Sequence, residues 1–396
     1  MAFGLFGCVL GVLSLTVLAR ASGTASYAFS LPNAAVDLPL LTLPVTGTVM
    51  LLGVVSVALG AWQAWRGTGG RGVGMLGLSV LVFLLAFLTW SATDTTVNIV
   101  AMLRAAIKAS APLTLGALAG VMCEKSGIIN IAIEGQLLVG AMVAAAVGSV
   151  AGPWVGLPAA VLGAVLFGLL LAVFTIRYKA DQIIVGVVLV VLASGLTAFL
   201  VRQLPSTLNQ PVRFKAVQLP LLSDIPVLGP LLFSQTVIVY MMFAGVAVCT
   251  WVLFQTRWGL RLRAVGEKPS AADTVGVAVH RIRYQAVAFG SIFAGIGGAF
   301  YTLDSSGQFS RDMTNGAGFI ALAAVLVGRY HPVGAFSAAL LFGFADALAT
   351  QLSIAGVPID SNILGTAPYV VTILVVAGVV GRVRVPAAGG QPYTPG

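Results

Sequence analysis

Long apolar runs separated by short polar joints dominate the chain, at Phe3–Ala19, Leu43–Trp65, Gly72–Trp90, Gly135–Val150, Val155–Ile176, Ile183–Val201, Thr236–Phe254, Tyr284–Leu303, Val333–Leu352 and Ile363–Gly381. Such runs match what a helix needs to cross a hydrocarbon layer about 30 Å thick. Between Thr95 and Gly135 the pattern is mixed. Arg104 and Lys108 share one helical face, which predicts an interfacial amphipathic helix, and a stretch of small residues from Ala111 to Gly120 follows. That region either spans once or dips and returns. Gly316–Gly328 is apolar yet shorter than the ~20 residues of a full crossing, so it predicts a short or re-entrant helix. Taken together, the pattern predicts an all-α, polytopic transmembrane helical bundle of about twelve crossings.

The polar joints set the orientation. Arg257–Arg283 is the longest markedly polar segment and carries Arg257, Arg261, Arg263, Lys268, Arg281 and Arg283 against Glu267 and Asp273. Lys and Arg accumulate in cytoplasmic loops, which places this segment inside together with the joints at Arg66–Arg71 and Arg177–Gln182. Arg202–Ser234 holds Pro205, Pro211, Pro220, Pro226 and Pro230, too many for a helix interior, and falls outside in that scheme. The first run has no basic segment before it and is expected to be retained as a helix.

Composition sharpens the class. The chain is 59% hydrophobic and 8% charged, with a mean hydropathy of +1.02, whereas soluble domains are about 25% charged. A net charge of +9 would point to nucleic acid in a soluble protein, but here the cations sit in short joints, so no nucleic acid is expected. Cys8, Cys123 and Cys249 lie far apart, and His280 and His331 are isolated. Neither a disulfide framework, a metal site nor a catalytic residue is signalled, and no cofactor is expected. The chain also lacks a G-x-x-x-x-G-K-[ST] loop to cradle phosphates.

Within the polar segment, Ser270-Ala271-Ala272-Asp273-Thr274-Val275-Gly276 resembles the EAAxxxG element with which membrane subunits of ABC importers dock a short helix into their ATPase, with Ser in place of the Glu. Two alanines give such a helix a slim face, and a glycine can end it with positive φ. Three more stretches precede it along the chain: Glu124–Gly135 (EKSGIINIAIEG), Ala180-Asp181-Gln182 and Leu260–Glu267 (LRLRAVGE); Gly318–Ala324 (GFIALAA) follows it. Together they make the chain from Ala109 onward resemble the permease subunits of bacterial nucleoside ABC importers, the systems served by basic-membrane-protein-type binding lipoproteins. Ribose and branched-chain amino-acid permeases are more distant kin. Ser223–Gly229 and Gly390-Gln391-Pro392-Tyr393 resemble the shorter of the two permeases such systems pair, while Lys179 stands where Arg is expected.

The apolar runs ahead of the matching stretches predict N-terminal extra transmembrane helices over 1–95, a departure from the family pattern; the resemblance implies a permease domain over 96–385 with its coupling loop at 257–283, and the proline-bearing end predicts a flexible cytoplasmic tail over 386–396. The resemblance also implies a multi-pass protein of the bacterial cytoplasmic (inner) membrane. Its partners would be a separate ABC ATPase, a second homologous permease in a heterodimer, a substrate-binding lipoprotein, the nucleoside and the lipid bilayer. Gly266, Glu267, Ser270, Ala271, Ala272, Asp273 and Gly276 would couple to the ATPase. Candidates to line the pathway are Asn130, Glu134, Gln182, Phe319 and Asp346, since polar groups at membrane depth are costly. Each has a structural alternative. Asn130 can bond backbone at a helix break, Glu134 can favour the positive end of the helix it opens, and Gln182 can cap the helix beginning at Ile183. Phe319 can simply pack, and Asp346 can join helices. A different class stays open: an ion- or proton-coupled secondary transporter of a small polar solute, with Glu134 and Asp346 as proton carriers. A membrane enzyme is a third, lacking any paired acid and base or nucleophile with histidine.

Overall fold

The computed structural model describes residues 2–31, 38–66, 72–203, 210–220, 222–354, 365–366, 369, 373 and 384–394. Most of the expected crossing at Ile363–Gly381, most of the Arg66–Arg71 joint, and Pro205 lie outside them. The chain divides into two compact units.

The first unit comprises Met1–Arg104, Pro220–Phe233 and Ala347–Thr366. It opens with α1 (Ala2–Thr16), α2 (Val45–Arg66) and α3 (Gly72–Ser91). The expectation of an all-α chain needs one amendment here. Strands β1 (Thr24–Ala28), β2 (Leu41–Pro44) and β3 (Thr96–Asn98) form a sheet of order β2-β1-β3, antiparallel on one side of β1 and parallel on the other. Thr and Tyr in β1 suit a pleated, half-buried surface, and Tyr27 donates to Thr89 Oγ1 at 2.8 Å.

Helix α4 (Ile99–Glu124) begins where Asn98 Oδ1 accepts from the Ala101 N–H at 2.8 Å. It then runs for 26 residues through Pro112. Arg104 and Lys108 therefore belong to a long continuous helix, and the expected interfacial amphipathic helix is not formed. The reason is tertiary: Lys108 Nζ lies 2.9 Å from Asp304 Oδ1, whose side chain is 1% exposed. A buried carboxylate supplies the partner that the isolated sequence placed in the headgroup region.

The second unit comprises Ala105–Leu219, Ser234–Asp346 and Ala367–Gly396. It holds most of α4, then α5 (Ile133–Ala151), α6 (Pro153–Ala172), α7 (Gln182–Gln203), α8 (Val237–Gln255), α9 (Arg257–Glu267), α10 (Pro269–Thr274), α11 (Val279–Ala299), α12 (Ala317–Val327) and most of α13 (Pro332–Ile354). π-helical turns extend α6 through Arg177 and α11 through Ser306. Small residues let α5 and α11 meet closely: a Cβ on Gly298 would lie 2.3 Å from the Leu137 carbonyl.

Among the described residues, eight helices are long and apolar enough to cross a membrane. The chain is thus a polytopic helical membrane protein. Where the sequence pointed to a flexible tail over 386–396, residues 384–394 are packed against the rest of the second unit. Ala388 N–H donates to the Gly266 carbonyl at 2.9 Å, and both Ala388 and Tyr393 are buried.

Candidate functional site

Two groups of residues carry the candidate chemistry, and both lie within the second unit. The first surrounds the start of α12. Glu134 occupies the first turn of α5, as its position suggested, but its carboxylate is directed at a different helix. Oε1 accepts from Thr314 Oγ1 at 2.6 Å and from the Gly316 N–H at 2.9 Å, and Oε2 accepts from the Gly318 N–H at 2.6 Å. The first N–H groups of a helix have no partner within it, and a carboxylate there also meets the positive end of the helix dipole. Glu134 is only 7% exposed, so these bonds form away from bulk water. Gly316 adopts φ +77 as the N-cap, and a Cβ on Gly318 would stand 2.4 Å from the Glu134 nitrogen. Two of the motifs read separately from the sequence, EKSGIINIAIEG and GFIALAA, are thus two sides of one helix contact.

Phe319 follows directly and is 48% exposed, so it is not a packing residue within this chain. Tyr369 donates to the Asn315 carbonyl at 2.8 Å on the same side. Asp346 is exposed on α13, within electrostatic reach of Tyr301 and Tyr369, as is Glu134. The structure therefore brings Glu134, Phe319 and Asp346 into one neighbourhood. The sequence reading missed Thr314, Asn315 and Tyr369 and took Gly316 only as the start of a short apolar helix; the Thr-Asn-Gly run ahead of that helix was the available signal.

Asn130 and Gln182 sit apart from that group, in and against the loop joining α4 to α5. Asn130 is fully buried and donates to Gln136 Oε1 at 3.4 Å. Gln182 Oε1 accepts from the Ile129 N–H at 2.7 Å, so it does not cap α7. Asp181 does, with Oδ1 accepting from the N–H groups of Ile183 and Ile184 at 2.9 and 3.0 Å. The shorter aspartate side chain reaches back to its own helix, whereas the glutamine spans to the neighbouring loop.

The second group is the polar segment after α8. Thr256 caps α9 by accepting from the Gly259 N–H at 3.0 Å, Pro269 opens α10 at a position that needs no N–H donor, and Gly276 ends the turn at φ +82. Of the residues expected to meet a partner, Glu267, Ser270, Ala271 and Gly276 are exposed, together with Val275 at 77%. Gly266 and Ala272 turn inward instead. Gly266 lies against the Lys125 carbonyl, where a Cβ would come within 2.1 Å, and Ala272 is 4% exposed. Asp273 Oδ2 accepts from Tyr393 Oη at 2.8 Å. Beside this segment, burial lowers the Lys125 ammonium from its ordinary value against an opposing pull from Glu267, and burial raises the Tyr330 phenol to about 12. Among the described residues, no group of three or more His, Cys, Asp or Glu is placed to hold a metal ion.

With this geometry in place, comparison with known proteins identifies the lineage. The family model described as branched-chain amino acid transport system / permease component matches residues 102–380. The guanosine ABC transporter permease protein NupQ of Bacillus subtilis is 39% identical over 72% of this chain and 94% of its own length. The nucleoside ABC transporter permease protein NupC of Lactococcus lactis is 39% identical over 72% of this chain and 93% of its own. A second Bacillus subtilis protein, the guanosine ABC transporter permease protein NupP, is 27% identical over 65% of this chain and 74% of its own. No solved structure matches. Matched over most of its length, this chain belongs to the branched-chain amino acid transport system permease family.

Proposed function

We propose that this chain is the permease subunit of an ATP-driven importer and forms half of a nucleoside pathway across the bacterial cytoplasmic membrane. The carrying observation is the similarity to two nucleoside permeases over nearly their whole length. Two Bacillus subtilis relatives that share one description support a paired, heterodimeric arrangement with a second permease. An ATPase and a substrate-binding lipoprotein complete the assembly, and this chain is not itself an enzyme.

In this reading α10 is the coupling helix. Ser270, Ala271, Val275 and Gly276 meet the ATPase, while Ala272 and Gly266 hold the helix to its own subunit. The pathway passes the start of α12, where Phe319 and Tyr369 offer aromatic surface beside Asn315 and Asp346, the mixture a nucleoside needs. Glu134, aimed at two backbone N–H groups and a hydroxyl, holds that helix end in place. It serves as a fixed acceptor rather than a proton shuttle. Adding α1, α3 and the Ile363–Gly381 run to the eight long helices gives eleven crossings, close to the expected twelve, with the eleven-residue α12 as the short or re-entrant helix.

The test is uptake of labelled guanosine and uridine by cells lacking their own nucleoside transporters, with and without the partner ATPase. Uptake that requires the ATPase and survives an uncoupler while ATP is maintained is the expected result. Uptake by this chain alone that collapses with the uncoupler would replace this reading with a secondary transporter.

A further inference from the structure

The segment after the last described crossing lies beyond the residues the family model matches, yet it is bonded to each part of the coupling region. Ala388 N–H donates to the Gly266 carbonyl at the end of α9, and Gly390 N–H donates to the Gly127 carbonyl at 3.2 Å. Arg283, on α11 and 1% exposed, joins the same two segments. Its Nε donates to the Ser126 carbonyl at 3.2 Å and its Nη1 to the Gln391 carbonyl at 3.1 Å. Tyr393 then reaches α10 through Asp273, with its ring 5.7 Å from that of His280 on α11. Gly127, at φ +87, leaves room for this crossing, since a Cβ there would stand 3.0 Å from both the Ala388 carbonyl and Arg283 Nη2.

We propose that residues 384–394 are a transmission strap, and that Tyr393 is a positioning residue that couples movement of α10 to the loop joining α4 and α5. The argument is one of connectivity. Without the strap, α10 meets its own subunit through the inward Ala272 and through short turns to α9 and α11, and among the described residues no hydrogen bond runs from it to the loop joining α4 and α5. With it, displacement of Asp273 pulls on Tyr393, and the same peptide stretch is fastened to Gly127 and, through Arg283, to Ser126. That loop runs into α5, where Glu134 holds the start of α12. The strap thus joins the ATP-driven surface to the helix end beside the pathway through hydrogen bonds rather than through a continuous helix. Coupling carried this way needs a physical element that both ends bias, and the strap is that element. The inference rests on the importer reading above.

The experiment measures nucleoside uptake and ATP hydrolysis together in proteoliposomes holding this chain, its ATPase, second permease and lipoprotein. It compares the unaltered chain with Tyr393→Phe, Asp273→Ala, the double variant, and a chain ending at Pro386. In Tyr393→Phe the ATPase is expected to co-purify in normal amount while nucleoside moved per ATP falls roughly tenfold, the lower end of the scale of one hydrogen bond to a carboxylate. The double variant should fall no further than Asp273→Ala alone, because the two act as one pair. Normal uptake per ATP in Tyr393→Phe overturns the proposal, including the case where only thermal stability drops; so does a double variant whose losses add. If the truncated chain does not assemble, the Tyr393→Phe result alone decides. Uptake by the unaltered complex without ATPase would overturn the importer reading and the strap with it, and it is seen before any variant is compared.

Discussion

Two short helices in the second unit are held in opposite ways. The start of α12 is fixed by a buried carboxylate that accepts three hydrogen bonds and by a glycine pressed onto the Glu134 backbone. Helix α10 has one inward alanine, one hydrogen bond from Tyr393, and a largely exposed outer face. The first arrangement resists displacement because moving it would strand buried donors and an acceptor, each costing about 1–3 kcal/mol. The second yields because water can replace what it loses. In an importer a coupling helix must move, and a helix end that shapes the pathway must be displaced only as part of its surroundings. Under the roles proposed for α10 and α12, the difference in burial supplies both behaviours from similar chemical groups.

The comparison is broken most severely at Gly318. Gly318→Ala places a Cβ against backbone rather than a movable side chain, and is expected to cost about 3 kcal/mol. The check is the fraction of detergent-solubilised protein that stays monodisperse after heating. Glu134→Gln keeps the shape but turns an NH2 group toward a backbone donor, with an expected loss of about 2 kcal/mol in the same assay. If it unfolds no earlier than the unaltered protein, the carboxylate is not what fixes α12.

At α10 the effects shift from stability to coupling. Ala271→Arg should leave stability within about 0.5 kcal/mol yet abolish ATPase-dependent uptake, since Ala271 faces outward. Ala272→Arg at the neighbouring inward position should instead lower thermal stability, because a charge enters the packed side of the loop; equal behaviour of the two variants would contradict the assigned faces. Smallest is Gly276→Ala, which forces a side chain into a left-handed turn at a cost of roughly 1 kcal/mol, read as a modest fall in melting temperature with uptake retained.

Much of this was visible along the chain. The apolar runs anticipated α5, α6, α7, α8 and α13 closely, because a bilayer demands long uninterrupted helices whatever their neighbours do. The small residues of SAADTVG anticipated a short helix ended by Gly276. The reading failed where partners came from far away. Lys108 looked interfacial until Asp304 supplied its counter-charge, and Gln182 looked like a cap until Ile129 presented an N–H. The tail looked free until Gly127, Gly266, Arg283 and Asp273 were found to receive it.

The sequence by itself determined that this is a helical membrane protein, where α5, α6, α7, α8 and α13 begin and end to within a few residues, and which loop is polar enough to face a soluble partner. Those properties follow from transfer of single segments between water and lipid, which depends on each segment's own residues. Only the tertiary structure decided which faces look inward. The α4 window is 83% buried and that of α7 22%, although both are apolar enough to cross a membrane. In a membrane the outside of a helix is as oily as its inside, so hydrophobic periodicity cannot distinguish them. Close approach at small residues and the pairing of distant polar groups, such as Glu134 with Gly318, exist only once the helices have met.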